Sequence, residues 1–173
     1  VVTGKNESSF EAVNKNGVLK LRMTLTKILS GDATKVTLYF KNLKSIDVNE
    51  GSIVSSKHVF KQTTMELSSQ EAAKIDLDLD VENATIKIYS GGIVSVRGKA
   101  VTQKTIINSG GIFHAKDLIT SQTLVSVSAG GSADVHATTL VNAKVNAGGS
   151  ISIYGKPKEI KQETFAGGTI TEK

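Results

Sequence analysis

Three aspartates at alternate positions are the first residues in this sequence whose type and spacing could do chemistry. Asp76, Asp78 and Asp80 alternate with aliphatic residues, so in an extended strand they share one face, about 7 Å apart. Such a row could bind a cation, or act with a facing acid in a polysaccharide-cleaving groove. The sequence offers no second acidic segment beside it. We therefore favour a solvated strand face near Lys74 or Lys87 and assign no catalytic residue.

A second group combines two histidines with an aspartate. His114 and Asp134 occupy the same outward column in adjacent repeats (described below), and His136 lies two positions further along its strand. Imidazole and carboxylate could bind a transition metal, but histidine ligands are usually held by supporting groups in a pocket. This face looks open, so we favour a surface contact between His114 and Asp134. The sequence predicts no metal and no cofactor.

Aromatic side chains could stack on sugar rings. The candidates are Tyr39, Tyr89, Tyr154 and Phe165, which are spread along the chain. Packing against neighbouring strands is the commoner use of such residues. They favour no lectin site.

The elements that must position these groups are set by a Gly-Gly pair that recurs five times. The pairs are Gly91-Gly92, Gly110-Gly111, Gly130-Gly131, Gly148-Gly149 and Gly167-Gly168. Their first glycines are separated by 19, 20, 18 and 19 residues, and each pair follows Ser or Ala. A fixed period of about 20 residues is typical of a solenoid, whose repeats bury their apolar faces against one another.

Aligning the repeats on their glycines predicts inward columns of side chains. The first contains Val94, Phe113, Ala133, Ile151 and Ile170; the second contains Val96, Ala115, Val135 and Ile153. A third, before each next glycine pair, contains Ile107, Val127, Val145 and Thr164, and we place Val101, Leu118, Leu140 and Ile160 in a middle strand. Alternation with period 2 and short corners predict an all-β fold, a right-handed parallel β-helix with about 20 residues per coil.

The N-terminal half is expected to be less regular than the C-terminal half. We expect a single domain over residues 1–173, with an irregular opening segment at 1–16, less regular strands at 17–89 and the repeat coils at 90–173. The first clear strand begins at Val18, with Leu19, Leu21, Met23 and Leu25 on one face and Lys20, Arg22 and Thr24 on the other.

Composition and charge exclude several classes of function. Aromatics make up only 5% of the residues, which suits a narrow aliphatic core better than a ring-lined enzyme cleft. The net charge of +5 comes from scattered cations, so we expect no nucleic-acid partner. No apolar run is long enough to cross a membrane. The chain opens on Val1 rather than Met, so we expect that a leader was removed or is not part of this sequence.

The repeats resemble the family described as putative auto-transporter adhesin, head GIN domain. The resemblance covers roughly residues 17–173 and is most specific over Ala147-Gly148-Gly149-Ser150-Ile151-Ser152-Ile153-Tyr154-Gly155-Lys156-Pro157, followed by Ala166-Gly167-Gly168-Thr169-Ile170. An earlier match is Leu43-Lys44-Ser45-Ile46-Asp47-Val48. This resemblance implies a β-helical envelope protein of the Bacteroidetes type, exported, with an adhesive or structural role and no catalytic residues.

Three functions remain open from the sequence. The first is an exported, non-enzymatic β-helix that serves in adhesion or envelope structure, in the periplasm, on the outer membrane surface or outside the cell. Its partner would be a surface glycan or protein, and it would be peripheral to or tethered at the membrane. The second is a carbohydrate-binding or polysaccharide-degrading β-helix. The third is an oligomerising scaffold that buries the outward pair Ile93 and Ile112 or an open solenoid end against another copy.

Overall fold

The computed structural model describes residues 1–4, 7–24 and 34–173, which form two compact units, Val1–Asn42 and Leu43–Lys173. Nearly all of the regular structure is strand, which confirms the expected all-β class. The expected single domain over residues 1–173 stays a prediction.

The described residues of the first unit include two antiparallel strand pairs. The strands are β1 (Val2–Thr3), β2 (Phe10–Lys15), β3 (Val18–Met23) and β4 (Lys35–Val36), and a 3-10 turn lies at Glu7–Ser9. β1 pairs with β4, and β2 pairs with β3 in a hairpin. The expected irregular segment over residues 1–16 is therefore wrong, since it contains β1 and β2.

A two-residue turn joins β2 to β3. Asn16 and Gly17 both have positive φ, 54° and 78°, which is the two-residue turn that matches the twist of paired strands. The turn places β2 opposite β3 in register from Phe10–Met23 to Lys15–Val18. The expected faces of β3 are confirmed from Leu19 to Met23, whereas Leu25 lies outside the described residues.

The second unit is a parallel β-helix. Its strands are β5 (Ser45–Val48), β6 (Ile53–Ser69), β7 (Lys74–Ile88), β8 (Ile93–Ile107), β9 (Ile112–Ser128), β10 (Ser132–Asn146), β11 (Ser150–Tyr154), β12 (Glu159–Phe165) and β13 (Thr169–Glu172). Each strand from β5 to β10 pairs in parallel with the next, β11 and β12 both follow β10, and β13 follows β11. The coil repeats about seven times, with about 19 residues per turn. This confirms the predicted solenoid.

Inward columns run through the solenoid as the repeat predicts. The strand registers place Val54, Ile75, Val94, Phe113, Ala133, Ile151 and Ile170 in succession, one per coil. Val94 and Phe113 are fully buried, as is Val135 of the second predicted column. Like side chains pack on like because successive coils lie about 4.8 Å apart. In the third column Thr164 is exposed, because β12 pairs only with β10 among the described strands.

The expected middle column is wrong. Val101 is 54% exposed, and Leu118 lies opposite Gly98 rather than Val101. The physical reason is the second corner of each coil, where two consecutive side chains point outward and reset the alternation. In β7 these are Glu82 and Asn83, both exposed within an unbroken strand. Beyond such a corner, the number of residues from the glycine pair no longer predicts whether a side chain points inward or outward.

The residues of each glycine corner have different roles in the turn. At the corner Tyr89–Gly92, Ser90 and Gly91 both have positive φ, 48° and 72°, and the Gly92 amide donates to the Tyr89 carbonyl, 2.8 Å away. The small residue before each pair therefore carries part of the turn. Earlier corners repeat this geometry without a glycine pair: Glu71 and Ala72 have φ of 56° and 59°. Residues 43–89 thus already wind as coils.

A buried polar group interrupts the aliphatic core. Gln103 and Thr105 are buried, and the Gln103 Nε2 donates to the Thr105 Oγ1, 3.0 Å away. The Gln103 Oε1 has no hydrogen-bond partner among the described residues. Gln103 lies in register between Ala84 of β7 and the buried Thr123 of β9, and Thr105 lies opposite Val125 of β9. An unpaired polar atom among such neighbours costs stability.

Replacing the pair tests this cost. We expect Thr105→Val alone to lower the free energy of unfolding by about 1–3 kcal/mol, because it leaves both amide groups of Gln103 unpaired. The double variant Gln103→Leu with Thr105→Val should recover wild-type stability or exceed it by about 1 kcal/mol, since both partners become apolar together. Urea unfolding midpoints measure both. A double variant less stable than Thr105→Val would contradict the assignment.

Candidate functional site: a charged depression on the solenoid

The aspartate row is an ion-pair ladder. Asp76, Asp78 and Asp80 point outward from β7, as predicted, and the register places Arg97 of β8 opposite Asp78. The Arg97 Nη2 lies 2.7 Å from the Asp76 Oδ1, and its Nε lies 2.9 Å from the Asp78 Oδ1. Hydrogen bonds to Asp76, and then to Asp78, raise the pKa of the Arg97 guanidinium. These side chains are about half exposed, so the pairs contribute little to stability.

The third aspartate is paired in the same way. The Asp80 Oδ2 lies 3.5 Å from the Lys99 Nζ and 3.8 Å from the Lys61 Nζ. The expected neighbours Lys74 and Lys87 are not the partners; the bases come from the adjoining coils, because the register stacks them on the acid. The row therefore presents neutralised carboxylates.

The histidine group is only partly assembled. His114 and Asp134 are paired in register, as predicted, with the His114 Nδ1 3.6 Å from the Asp134 Oδ2. His136 makes a different contact: its Nδ1 lies 2.9 Å from the backbone oxygen of Lys116. Over residues 1–4, 7–24 and 34–173, no three His, Cys, Asp or Glu side chains converge as a metal site.

A bulge in β9 shapes the surface around His114. The register of β9 with β8 shifts after His114 and that with β10 shifts after Ala115, so Lys116 and Asp117 have no register partner in either neighbouring strand. The coil that contains β9 is the one with the 20-residue glycine spacing, so the longer spacing is the sequence signal of the bulge. Bulges redirect side chains and are common beside functional sites. Here the bulge turns the exposed Lys116 and Asp117 out of the ladder.

An open depression of about 400 Å³ lies beside this bulge. We call it the charged depression; its lining is Ser95, Val96, Arg97, His114, Lys116, Asp117 and Asp134. The lining comes from three successive coils, β8, β9 and β10. The sequence reading identified His114 and Asp134 but missed Arg97, Lys116 and Asp117. None of the predicted aromatic candidates Tyr39, Tyr89, Tyr154 and Phe165 lines it.

The depression holds the residue types of a serine hydrolase triad without its geometry. Ser95, His114 and Asp134 follow one another in register across three coils. No hydrogen bond joins Ser95 to His114 in the described structure, and the His114–Asp134 contact is long at 3.6 Å. An activated nucleophile needs the base within about 2.6–3.2 Å. The arrangement supplies hydrogen-bond donors, acceptors and both signs of charge, which suits recognition.

Comparison with known proteins identifies the family. The sequence model of the family described as "Putative auto-transporter adhesin, head GIN domain" matches residues 1–157. This chain belongs to that family. The resemblance predicted from the glycine repeats is thereby confirmed. A search of curated protein sequences gives no match.

Solved structures share the fold of this head GIN domain. A putative adhesin from Bacteroides fragilis aligns with a TM-score of 0.82 at 19% identity, over 96% of this chain and 77% of that one. A putative adhesin from Parabacteroides distasonis gives 0.77 at 21% identity, over 99% and 82%. A structure from the same species that is described as a putative lipid binding protein gives 0.66 at 17% identity, over 99% and 82%. Likeness at these identities establishes the fold.

The head GIN domain has no helix that could span a bilayer within the residues that the structure describes.

The expected outward pair, Ile93 and Ile112, are neighbours in the β8–β9 register and are both half-buried. The third hypothesis, an oligomerising scaffold, stays a prediction, and light scattering across a concentration series is its measurement.

Proposed function

We propose that this head GIN domain is an exported, non-enzymatic adhesion module of the cell surface that binds its ligand through the charged depression. Family membership and the solved structures of putative adhesins with the same fold support the surface role. The family description names adhesins, and the depression lacks an assembled catalytic group.

The observation that carries the proposal is the lining of the charged depression. Arg97, Lys116 and Asp117 bring both charges to one place on a rigid ladder of paired strands. Rigid elements position binding groups more precisely than loops do. The depression is open, whereas small-substrate sites enclose most of the ligand. It therefore suits one part of a large polar partner, such as a surface glycan or protein.

A charge exchange at the bulge tests the proposal. The variant Lys116→Glu with Asp117→Lys keeps the net charge and changes only exposed side chains. We expect it to lose about tenfold or more in affinity on its target, which corresponds to about 1.4 kcal/mol. The target is to be found by screening wild-type protein on a printed glycan array and on immobilised extracellular-matrix proteins.

The matched control is a second charge exchange on the same solenoid. Lys144 and Glu163 form an exposed ion pair 2.8 Å long between β10 and β12, outside the depression. Lys144→Glu with Glu163→Lys should leave target binding unchanged. Equal binding by both exchange variants, or no target on either array, would contradict the proposal. Release of reducing ends from a polysaccharide panel would favour the degrading β-helix instead.

A further inference from the structure

The β2–β3 hairpin of the first unit is amphipathic. One side of the hairpin, which we call the apolar hairpin face, contains Phe10, Ala12, Asn14, Leu19, Leu21 and Met23. The opposite side carries Lys15, Lys20 and Arg22, with Glu11, Val13 and Val18. Period-2 alternation on both strands places the basic side chains on one side and most of the apolar side chains on the other.

Part of the apolar hairpin face is exposed, whereas Phe10 and Met23, at the end far from the turn, are half-buried. Leu19 is 39% exposed and Leu21 is 42% exposed. Among the described residues of Val1–Asn42, none is fully buried. Of the fifteen exposed large hydrophobic side chains in the described structure, eight lie in this unit. A two-stranded hairpin is marginally stable in water unless its apolar face packs against something.

The charge of the first unit indicates what covers that face. Residues 1–42 contain seven Lys and Arg against three Asp and Glu, so they carry +4 of the chain's net charge of +5. Arg22 pairs with Glu11, with 2.8 Å between the Nη2 and the Oε2. No ion pair reaches Lys15 or Lys20 from any residue that the structure describes. The basic side chains lie on the side opposite the apolar hairpin face, as in amphipathic elements that lie in the headgroup region of an anionic membrane.

We propose that the β2–β3 hairpin docks on an anionic lipid membrane. Leu19 and Leu21, next to the turn, enter the boundary between headgroups and acyl chains, and Lys15 and Lys20 contact lipid phosphates. Amphipathic elements with a basic polar face bind membrane surfaces in this way. Each basic side chain near an anionic leaflet adds attraction that salt screens. This role is independent of the charged depression, since it uses only the first unit.

Vesicle binding tests the inference on the full chain. We expect sedimentation with vesicles of three parts phosphatidylcholine to one part phosphatidylglycerol to be about tenfold stronger than with phosphatidylcholine alone, and to be largely lost in 0.5 M NaCl. Equal binding to both vesicles, or no binding to either, would overturn it.

Paired variants locate the contact. Leu19→Ser with Leu21→Ser, and separately Lys15→Glu with Lys20→Glu, should each weaken vesicle binding about tenfold or more. The controls are Val101→Ser with Ile119→Ser, which are exposed at 54% and 50% on the solenoid, and Lys87→Glu with Lys104→Glu. Losses in the controls equal to those in the hairpin variants would place the contact elsewhere and overturn the inference.

A fluorescent reporter separates docking from misfolding, because the chain has no Trp. The emission of Leu21→Trp should shift to the blue on addition of the anionic vesicles, whereas Ile119→Trp should not shift. A blue shift of Leu21→Trp with protein concentration alone would show that a second copy covers the face, and would overturn the inference. The charge-exchanged depression variant should bind vesicles like wild type, so that the two proposals fail separately.

Discussion

Replacing Val135 with Asp should unfold the solenoid around β10. Val135 is fully buried and lies in register between Ala115 of β9 and Ile153 of β11. A carboxylate there has aliphatic neighbours and no basic partner, so its burial costs far more than the lost valine contacts. We expect the free energy of unfolding to fall by about 4 kcal/mol or more. Thermal unfolding followed by far-ultraviolet circular dichroism measures it.

An aspartate introduced on the outer surface is its control. Gln122 lies on β9 and is exposed, in register with Thr102 and Leu140. Gln122→Asp should change stability by less than about 0.5 kcal/mol, as is usual for surface positions. Because each coil of a solenoid is stabilised by its neighbours, loss at Val135 should spread to adjoining coils and broaden the transition. A Val135→Asp protein with wild-type stability would show that the inward and outward faces are assigned the wrong way round.

The two glycines of one corner should respond unequally to alanine. A Cβ at Gly92 would overlap the carbonyl oxygen of Ser69 and lie 2.6 Å from its carbonyl carbon. This backbone cannot move aside, because the Ser69 oxygen accepts a hydrogen bond from the Tyr89 amide, 3.0 Å away. We expect Gly92→Ala to cost about 2–4 kcal/mol.

Gly91 supplies the matched comparison. Its φ is +72°, and a Cβ there would meet nothing within 4 Å. Only the left-handed backbone penalty of about 1–2 kcal/mol then applies. Chemical denaturation of both single variants at the same protein concentration measures the difference. If Gly91→Ala were the more destabilising variant, the close approach of neighbouring coils would not be the reason that the second position requires glycine.

The candidate site shows where sequence reasoning stopped. His114 and Asp134 were predicted to meet because their offset from the glycine pair is the same. Arg97 was not predicted, because its pairing with Asp76 and Asp78 depends on how its side chain runs between two coils. The bulge at Lys116 and Asp117 was visible only as one extra residue between glycine pairs, a signal that gives no position within the coil.

The first unit shows a different limit. The two faces of β3 were predicted from the alternation of apolar and polar residues. The same pattern did not reveal its partner β2, because Phe10–Lys15 alternates between apolar and polar residues only at its start. The Asn16-Gly17 turn was the available signal, because both residues favour positive φ. It identifies a hairpin only when both flanking segments are considered as strands.

The sequence by itself determined the solenoid, its first inward columns and the family. It could do so because every repeat has the same period-2 alternation, so equivalent side chains point inward in every coil and stack in columns. Only the tertiary structure decided the second corners, the ladder of Arg97 on the aspartates and the charged depression. These features depend on where the strand register shifts when neighbouring coils differ in length. The position of that shift is set by packing between coils and not by any single segment.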